Sequence, residues 1–310
     1  MLRCCEPHGL PLRGLMAVPR CCAAKARRVS KQADMEQIPF LKMHGAGNDF
    51  VVFDNRSGTL AFSEAQRVAI ADRRFGIGCD QIVLLETSHV ASVFMRLYNS
   101  DGGEVSACGN ATRCVGWLVM EETGNKEVTI ETRAGILHCK RAGEMAVQVD
   151  MGAPKFRWNE IPLAHEVDTM KLALREGAVS EAVAVSMGNP HAVFFVENAD
   201  AVDLHRIGPA FEHDAIFPER ANIEVAQVLD ARSIKLRVWE RGSGETLACG
   251  TGACATAVAA RLKGLVEERV DVQLPGGTLT IEWNGSTQKD TSTVLMTGPV
   301  AVVYEGIWKP

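Results

Sequence analysis

The chain has 310 residues, 46% of them hydrophobic and 23% charged, with a formal net charge of -5. That length suits two modest domains or one large one, the negative charge argues against a nucleic-acid surface, and no apolar run approaches the ~20 residues of a membrane helix. The ten cysteines lack the framework spacing of a small secreted domain, and no signal peptide with an apolar core precedes them. A reducing, cytoplasmic setting is therefore expected.

Residues 1–34 carry Arg3, Arg13, Arg20, Lys25, Arg27, Arg28 and Lys31 against Glu6 and Asp34. They read as a disordered basic extension, with Met35 as the start of the folded chain. A transit peptide is the other reading, and it alone would move the protein to a plastid; such peptides are serine-rich, and Ser30 stands alone.

From there, short β-branched or alternating runs bounded by turn residues predict strands over 50–53, 82–85, 93–98, 128–132 and 146–150. Helices are expected over 63–72 and over 109–122, the second stopped by Gly124. A polar-faced helix is expected over 169–176. Strands then follow over 183–186, 192–196, 223–228, 234–239, 270–273, 279–282 and 300–304. The helix over 250–263, ended by Gly264, is small and apolar almost all round, which predicts a buried central position.

The chain also matches itself. GEVSACG (103–109) resembles GETLACG (244–250) at five of seven positions, with Cys108 and Cys249 standing 141 residues apart. The same offset pairs Asn48 with Asn189, Gln81 with Asn222, and Asn99 with Glu240. A constant offset over separated segments identifies a domain-sized duplication rather than a solenoid. Each half is expected to be a sheet wrapped around, or packed on, a central helix. Cys114 and Cys254 fall out of register, since Arg113 stands opposite Cys254, so only Cys108 and Cys249 are equivalent.

Both special cysteines precede a helix, where free N–H groups and the helix dipole favour an anion. The thiol pKa is expected below its usual ~8.5, and the same N–H groups suit a carboxylate. A thiolate facing a thiol across a cleft could take a proton from one face of a carbon acid and return one to the other. Cys79, Cys114, Cys139 and Cys254 read as packing. Zinc on Cys249 and Cys254 is disfavoured because helical positions five apart diverge by ~140°, and a redox pair lacks its C-x-x-C motif. The matched polar residues read as a site lining, with Arg241 as a bidentate carboxylate clamp and His191 as a group that tunes a thiol.

The stretches KMHGAGNDF (42–50), GIGCDQ (76–81), YNSDGGEVSACGNATRC (98–114), SMGNPHAVF (186–194), RANIEVA (220–226) and WERGSGETLACGTGAC (239–254) closely resemble the diaminopimelate epimerase family. The resemblance runs from about residue 38 to the C-terminus. It implies interconversion of LL- and meso-2,6-diaminopimelate, without pyridoxal phosphate, metal or other cofactor, on the route to lysine and peptidoglycan. Cys108 and Cys249 would be the two bases. Gly109, Asn110, Gly250 and Thr251 would hold the carboxylate at the reacting carbon. Asn48, Asn99, Asn189, Asn222 and Arg241 would hold the distal end, with Gln81 beside them, and Glu240 and His191 would lie close to the thiols.

The implied fold is α/β (α+β): two pseudo-symmetric domains, each a mainly antiparallel curved sheet around a central helix. The first would span 35–152 and the second 153–298, and a last strand over 299–310 would rejoin the first. The partner is a small-molecule substrate, with neither nucleic acid nor membrane, and a homodimer is left open. Two alternatives stand beside this reading: a related cysteine-pair racemase of the proline or hydroxyproline type, and a non-catalytic metal or redox cysteine protein.

Overall fold

The computed structural model describes residues 37–176, 179–286 and 291–310. The basic extension expected over 1–34, and Met35, lie outside the described residues. The first half opens with a hairpin of β1 (Ile38–Gly45) and β2 (Asn48–Asp54). Its two-residue turn, Ala46-Gly47, has φ of 53° and 84°, the doubly left-handed geometry that matches strand twist and suits glycine. α1 (Glu64–Ala71) follows, started by a capping box between Ser63 and Gln66. Then come β3 (Gln81–Glu86), β4 (Val93–Asn99), β5 (Glu104–Val105) and α2 (Gly109–Thr123). Gly124, at φ 73°, ends α2 in the left-handed conformation. β6 (Glu127–Thr132), β7 (Gly135–Gly143) and β8 (Ala146–Asp150) complete the half.

The second half repeats the plan. It runs β9 (Val183–Ser186), β10 (Pro190–Phe195), α3 (Leu204–Glu212), β11 (Asn222–Asp230), β12 (Ser233–Glu240), β13 (Gly244–Thr246), α4 (Gly250–Leu262), β14 (Arg269–Leu274), β15 (Gly277–Glu282) and β16 (Leu295–Pro299). In the first half β1/β2 is antiparallel, β2/β3 parallel, β3/β4 antiparallel, β4/β6 parallel, and β6/β7 and β7/β8 antiparallel. The pairs β9/β10, β10/β11, β11/β12, β12/β14, β14/β15 and β15/β16 follow the same order of senses. Even the register repeats, with Phe50 opposite Gln81 and His191 opposite Asn222. The 141-residue offset is thus a structural duplication. Antiparallel pairing of β8 with β16 makes the two sheets continuous, and the final strand, β17 (Ala301–Trp308), returns to pair with β1.

The fold is therefore α+β, with two pseudo-symmetric halves built on mainly antiparallel sheets. α2 packs against β1, β4, β6, β7 and β8, and α4 against β9 to β12, β14 and β15, so each sheet curves around its helix. α4 is buried at every residue from Gly252 to Ala260, because its run of alanines lets strands approach from all sides. On α2, Val115, Leu118, Val119 and Met120 enter the same core, each burial contributing ~1.5–3 kcal/mol. No helix among the described residues is long and apolar enough to cross a membrane.

One expected element is corrected. Residues 169–176 form no helix but an irregular segment with isolated bridges Leu172–Ala182 and Glu176–Val179. Leu172 and Leu174 are buried while Lys171, Ala173 and Arg175 are exposed, a period of two rather than 3.6. The Thr169 hydroxyl donates to the Phe156 carbonyl at 2.8 Å instead of capping a helix. Conversely, α3 forms despite Pro209 in its interior.

The two halves also touch at a glycine with no room for a side chain. A Cβ on Gly276 would lie 2.0 Å from the Ala46 carbonyl oxygen and 3.0 Å from that of Leu247. Both obstacles are backbone, so neither can rotate away. Gly276→Ala is expected to cost about 2–3 kcal/mol and to lower the thermal midpoint by roughly 5–10 °C. An unchanged melting curve would mean that the turn gives way.

Candidate active site

The strand ends, hairpin turn and helix starts of both halves converge where α2 meets α4. Cys108 and Cys249 are the N-cap residues of these helices, both in extended backbone conformation. The helix starts lie against each other: a Cβ on Gly109 would meet Met296 Cε at 2.9 Å, and one on Gly250 would meet Met296 Sδ at 3.1 Å. Asn110 ties them together, its amide donating to the Ala248 carbonyl at 3.0 Å and to Asn48 Oδ1 at 3.2 Å.

Around Cys108, the thiol donates to Asn48 Oδ1 at 3.6 Å. Asn48 starts β2, and its own amide donates to Asp80 Oδ2 at 3.0 Å, which fixes which end of the amide faces the thiol. Around Cys249, Sγ accepts the Gly252 N–H at 3.3 Å and lies 3.6 Å from the Thr251 hydroxyl. Asn189 donates to that hydroxyl at 3.3 Å, and its Oδ1 lies 2.9 Å from His191 Nε2. His191 Nδ1 lies 2.7 Å from Glu224 Oε1, both side chains fully buried. With Asn189 Oδ1 taking the Nε2 proton, the proton between Nδ1 and the carboxyl is shared by the pair.

Glu240, at the end of β12, links the two sides. Its carboxyl accepts from the Thr246 hydroxyl, and its charge acts on both Cys108 and Cys249. The other expected site residues stand at the same strand ends but contact one another rather than the thiols. Gln81 donates to Asn99 at 2.9 Å. Asn222 accepts the Arg241 backbone N–H at 2.9 Å, and the exposed Arg241 guanidinium donates to the Glu219 carbonyl at 3.0 Å.

The expected lowering of the thiol pKa values is not what the structure gives. Burial pushes the Cys108 thiol up to about 11, with the charge of Glu240 adding to the rise and the N–H groups of Ala111 and Asn110 and the Arg113 guanidinium opposing it. Burial, then Glu240 and Glu224, push Cys249 well above its ordinary value. Desolvation of a thiolate in a closed site outweighs the helix start. Burial likewise raises the Glu240 and Glu224 carboxyls, and His191 pulls both back.

A family model described as diaminopimelate epimerase matches residues 40–157 and 183–303, which is most of the chain. The chain belongs to the diaminopimelate epimerase family. It is 53% identical over 268 residues to the diaminopimelate epimerase of Acidiphilium cryptum (strain JF-5), covering 86% of this chain and 95% of that protein. It is 53% identical over 269 residues to that of Rhodospirillum centenum (strain ATCC 51521 / SW), covering 86% and 91%. Among solved structures, a phenazine biosynthesis protein of the PhzF family from Bacillus anthracis superposes with a TM-score of 0.66 at 19% identity, covering 89% of this chain and all of that one. A hydroxyproline epimerase from Agrobacterium vitis gives 0.63 at 15%, covering 88% and 91%. These distant structures share the fold.

Two residues that the structure brings into this candidate site escaped sequence reasoning. Asp80 sits inside GIGCDQ, yet only Gln81 was singled out, because only Gln81 had a matched polar partner. Glu224 sits in RANIEVA, on a strand that reads as ordinary alternation. The signal available was a broken match: at the 141-residue offset Glu224 stands where the first half has Val83, and His191 where it has Phe50. A buried ionisable pair replacing two apolar residues marks a position under functional demand.

Proposed function

We propose that the chain interconverts LL- and meso-2,6-diaminopimelate by a cofactor-independent proton transfer at one α-carbon, with Cys108 and Cys249 as the two acid–base groups. The observation that carries this reading is the pair of cysteines, each the N-cap of a helix, with the two helix starts packed against each other. One thiolate takes the α-proton from one face. The electron pair left on carbon delocalises into the carboxylate, which the N–H groups of Gly109, Asn110, Gly250 and Thr251 stabilise in place. The other thiol returns a proton to the opposite face, leaving its sulfur as the thiolate for the reverse turnover.

The second polar cluster suits the remote amino-acid end of a long substrate: Asn48, Asn99, Asn189, Asn222 and Arg241 hold it, with Gln81 alongside. Glu240 and His191 support the thiols. The domains are 35–152 and 153–298, with the last strand belonging to the first, in keeping with the β17/β1 pairing. A homodimer is the assembly that accompanies this reading, and the cytoplasm, where thiols stay reduced, is its compartment.

The deciding assay incubates the protein with either isomer in D2O. Each is expected to yield both isomers with deuterium at one α-carbon. Turnover of proline or hydroxyproline, with diaminopimelate untouched, would overturn the substrate assignment in favour of the related racemases.

A further inference from the structure

Each helix start has the repeat's asparagine beside it, Asn48 in the first half and Asn189 in the second, and the two amides are turned opposite ways. Asn48 Oδ1 accepts from the Cys108 thiol at 3.6 Å and from the Asn110 amide at 3.2 Å, while its Nδ2 donates to Asp80 Oδ2 at 3.0 Å. Asn189 Nδ2 instead donates to the Thr251 hydroxyl at 3.3 Å, and its Oδ1 faces His191 Nε2 at 2.9 Å. Oxygen thus points toward the helix start in the first half and nitrogen in the second. The duplication dictates neither choice. The group behind each asparagine does.

The two ends of an amide are alike in shape and differ in hydrogen-bonding sense. In the first half, two neighbours decide which end goes where. The Asp80 carboxylate accepts, so it takes the nitrogen. The Asn110 nitrogen is fixed by the Ala248 carbonyl, 3.0 Å away, so it donates and takes the oxygen. A flipped Asn48 would set oxygen against carboxylate and nitrogen against nitrogen. Asp80 is itself braced. Its Oδ1 pairs with Arg73 Nη2 at 2.7 Å, its Oδ2 accepts the Asp49 N–H at 3.1 Å, and its own N–H returns to Asp49 Oδ1 at 2.9 Å. Arg73 also pairs with Asp49 at 2.7 Å. This network ties the start of β2 to the residue before β3.

An oxygen that accepts from a thiol favours the protonated sulfur, whereas an N–H in its place would favour the thiolate. We propose that Asp80, braced by Arg73, is a positioning residue for proton transfer: it aims the oxygen end of Asn48 at Cys108 and so stabilises the protonated, acid form of that thiol. This inference rests on reading Cys108 as one of the two proton-transfer groups. Asp80 acts through Asn48.

The test follows iodoacetamide alkylation of Cys108 and Cys249 in the full-length protein at one fixed pH, each cysteine read by peptide mass spectrometry. Asp80→Ala leaves Asn48 free to turn, and Cys108 is expected to react about two- to tenfold faster, the worth of one hydrogen bond, with Cys249 unmoved. Asp80→Asn removes the charge but keeps an oxygen for Asn48 to donate to, and should stay near the wild type. Asn48→Ala should accelerate Cys108 as Asp80→Ala does. Adding Asp80→Ala to it should change nothing more, as expected of a residue that acts through another. Equal acceleration in Asp80→Asn would overturn the proposal by making charge the cause. So would an unmoved Cys108 in Asp80→Ala, additive effects in the double variant, or both cysteines accelerated alike, which marks a site that has merely opened. Should Asp80→Ala fail to fold, Asn48→Ala keeps Asp80 and its ion pairs, and an unmoved Cys108 there would count against the proposal equally. None of these readouts needs a substrate. The expected alkylation pattern without turnover of diaminopimelate would instead count against the substrate reading alone.

Discussion

Cys108→Ala and Cys249→Ala are each expected to reduce net epimerisation of diaminopimelate to about 10⁻⁴ of wild type or less, the full contribution of a positioned proton-transfer group. The two sulfurs serve opposite faces of the same carbon, so neither can cover for the other. Folding should survive both changes. Cys108 makes no side-chain capping bond to its helix, and Cys249 makes one, to the Gly252 N–H, whose loss costs about 1 kcal/mol. Circular dichroism and melting should therefore stay near wild type while activity vanishes. Each variant keeps one thiol, so each should still exchange the α-hydrogen of one isomer with solvent, without inversion, and the two variants should prefer opposite isomers. Full activity in either variant would remove the two-base mechanism, as would loss of activity that tracks unfolding.

The duplication was legible in the sequence because it rests on spacing, which folding preserves. The offset that paired Asn48 with Asn189 and Cys108 with Cys249 reappears as equivalent strand registers and equivalent helix caps. Strand types and the two central helices followed from periodicity and glycine stops. What failed was whatever depends on tertiary surroundings. A run from Thr169 to Glu176 has helix-compatible composition, but its leucines are claimed by the second-half core at a period of two. The predicted acid thiols took the helix start into account and left out the desolvation that both halves impose together. Arg113 was noticed only as the residue that put Cys254 out of register. That its Nε and Nη2 have no hydrogen-bond partner among the described residues is visible only once α2, β1 and β16 are assembled around it. Residues that break the repeat, namely Arg113, His191 and Glu224, give the two thiols different surroundings, and a pattern search built on matches passes over them.

Replacing Glu240 with glutamine should move the thiol ionisations downward. The kcat/KM profile reports groups of the free enzyme. With Cys108 pushed up to about 11 and Cys249 pushed well above its ordinary value, the wild-type profile should climb from neutral pH into the alkaline range. Burial raises the Glu240 carboxyl's own pKa, and where that carboxyl is ionised its charge bears on both thiols. A negative charge facing a thiol disfavours the thiolate. Glu240→Gln removes that charge and keeps the shape, so the ascending limb should shift to lower pH by about one unit. The same change removes a half-buried carboxylate that accepts from Thr246 beside both thiols, a loss of about 2–4 kcal/mol, or roughly 30- to 1000-fold in kcat/KM. Glutamine should thus give an enzyme that is slower everywhere, yet reaches its reduced maximum at lower pH. A profile lowered without any shift would confine Glu240 to substrate binding. A shift to higher pH would mean that the charge of Glu240 is not what raises the thiols.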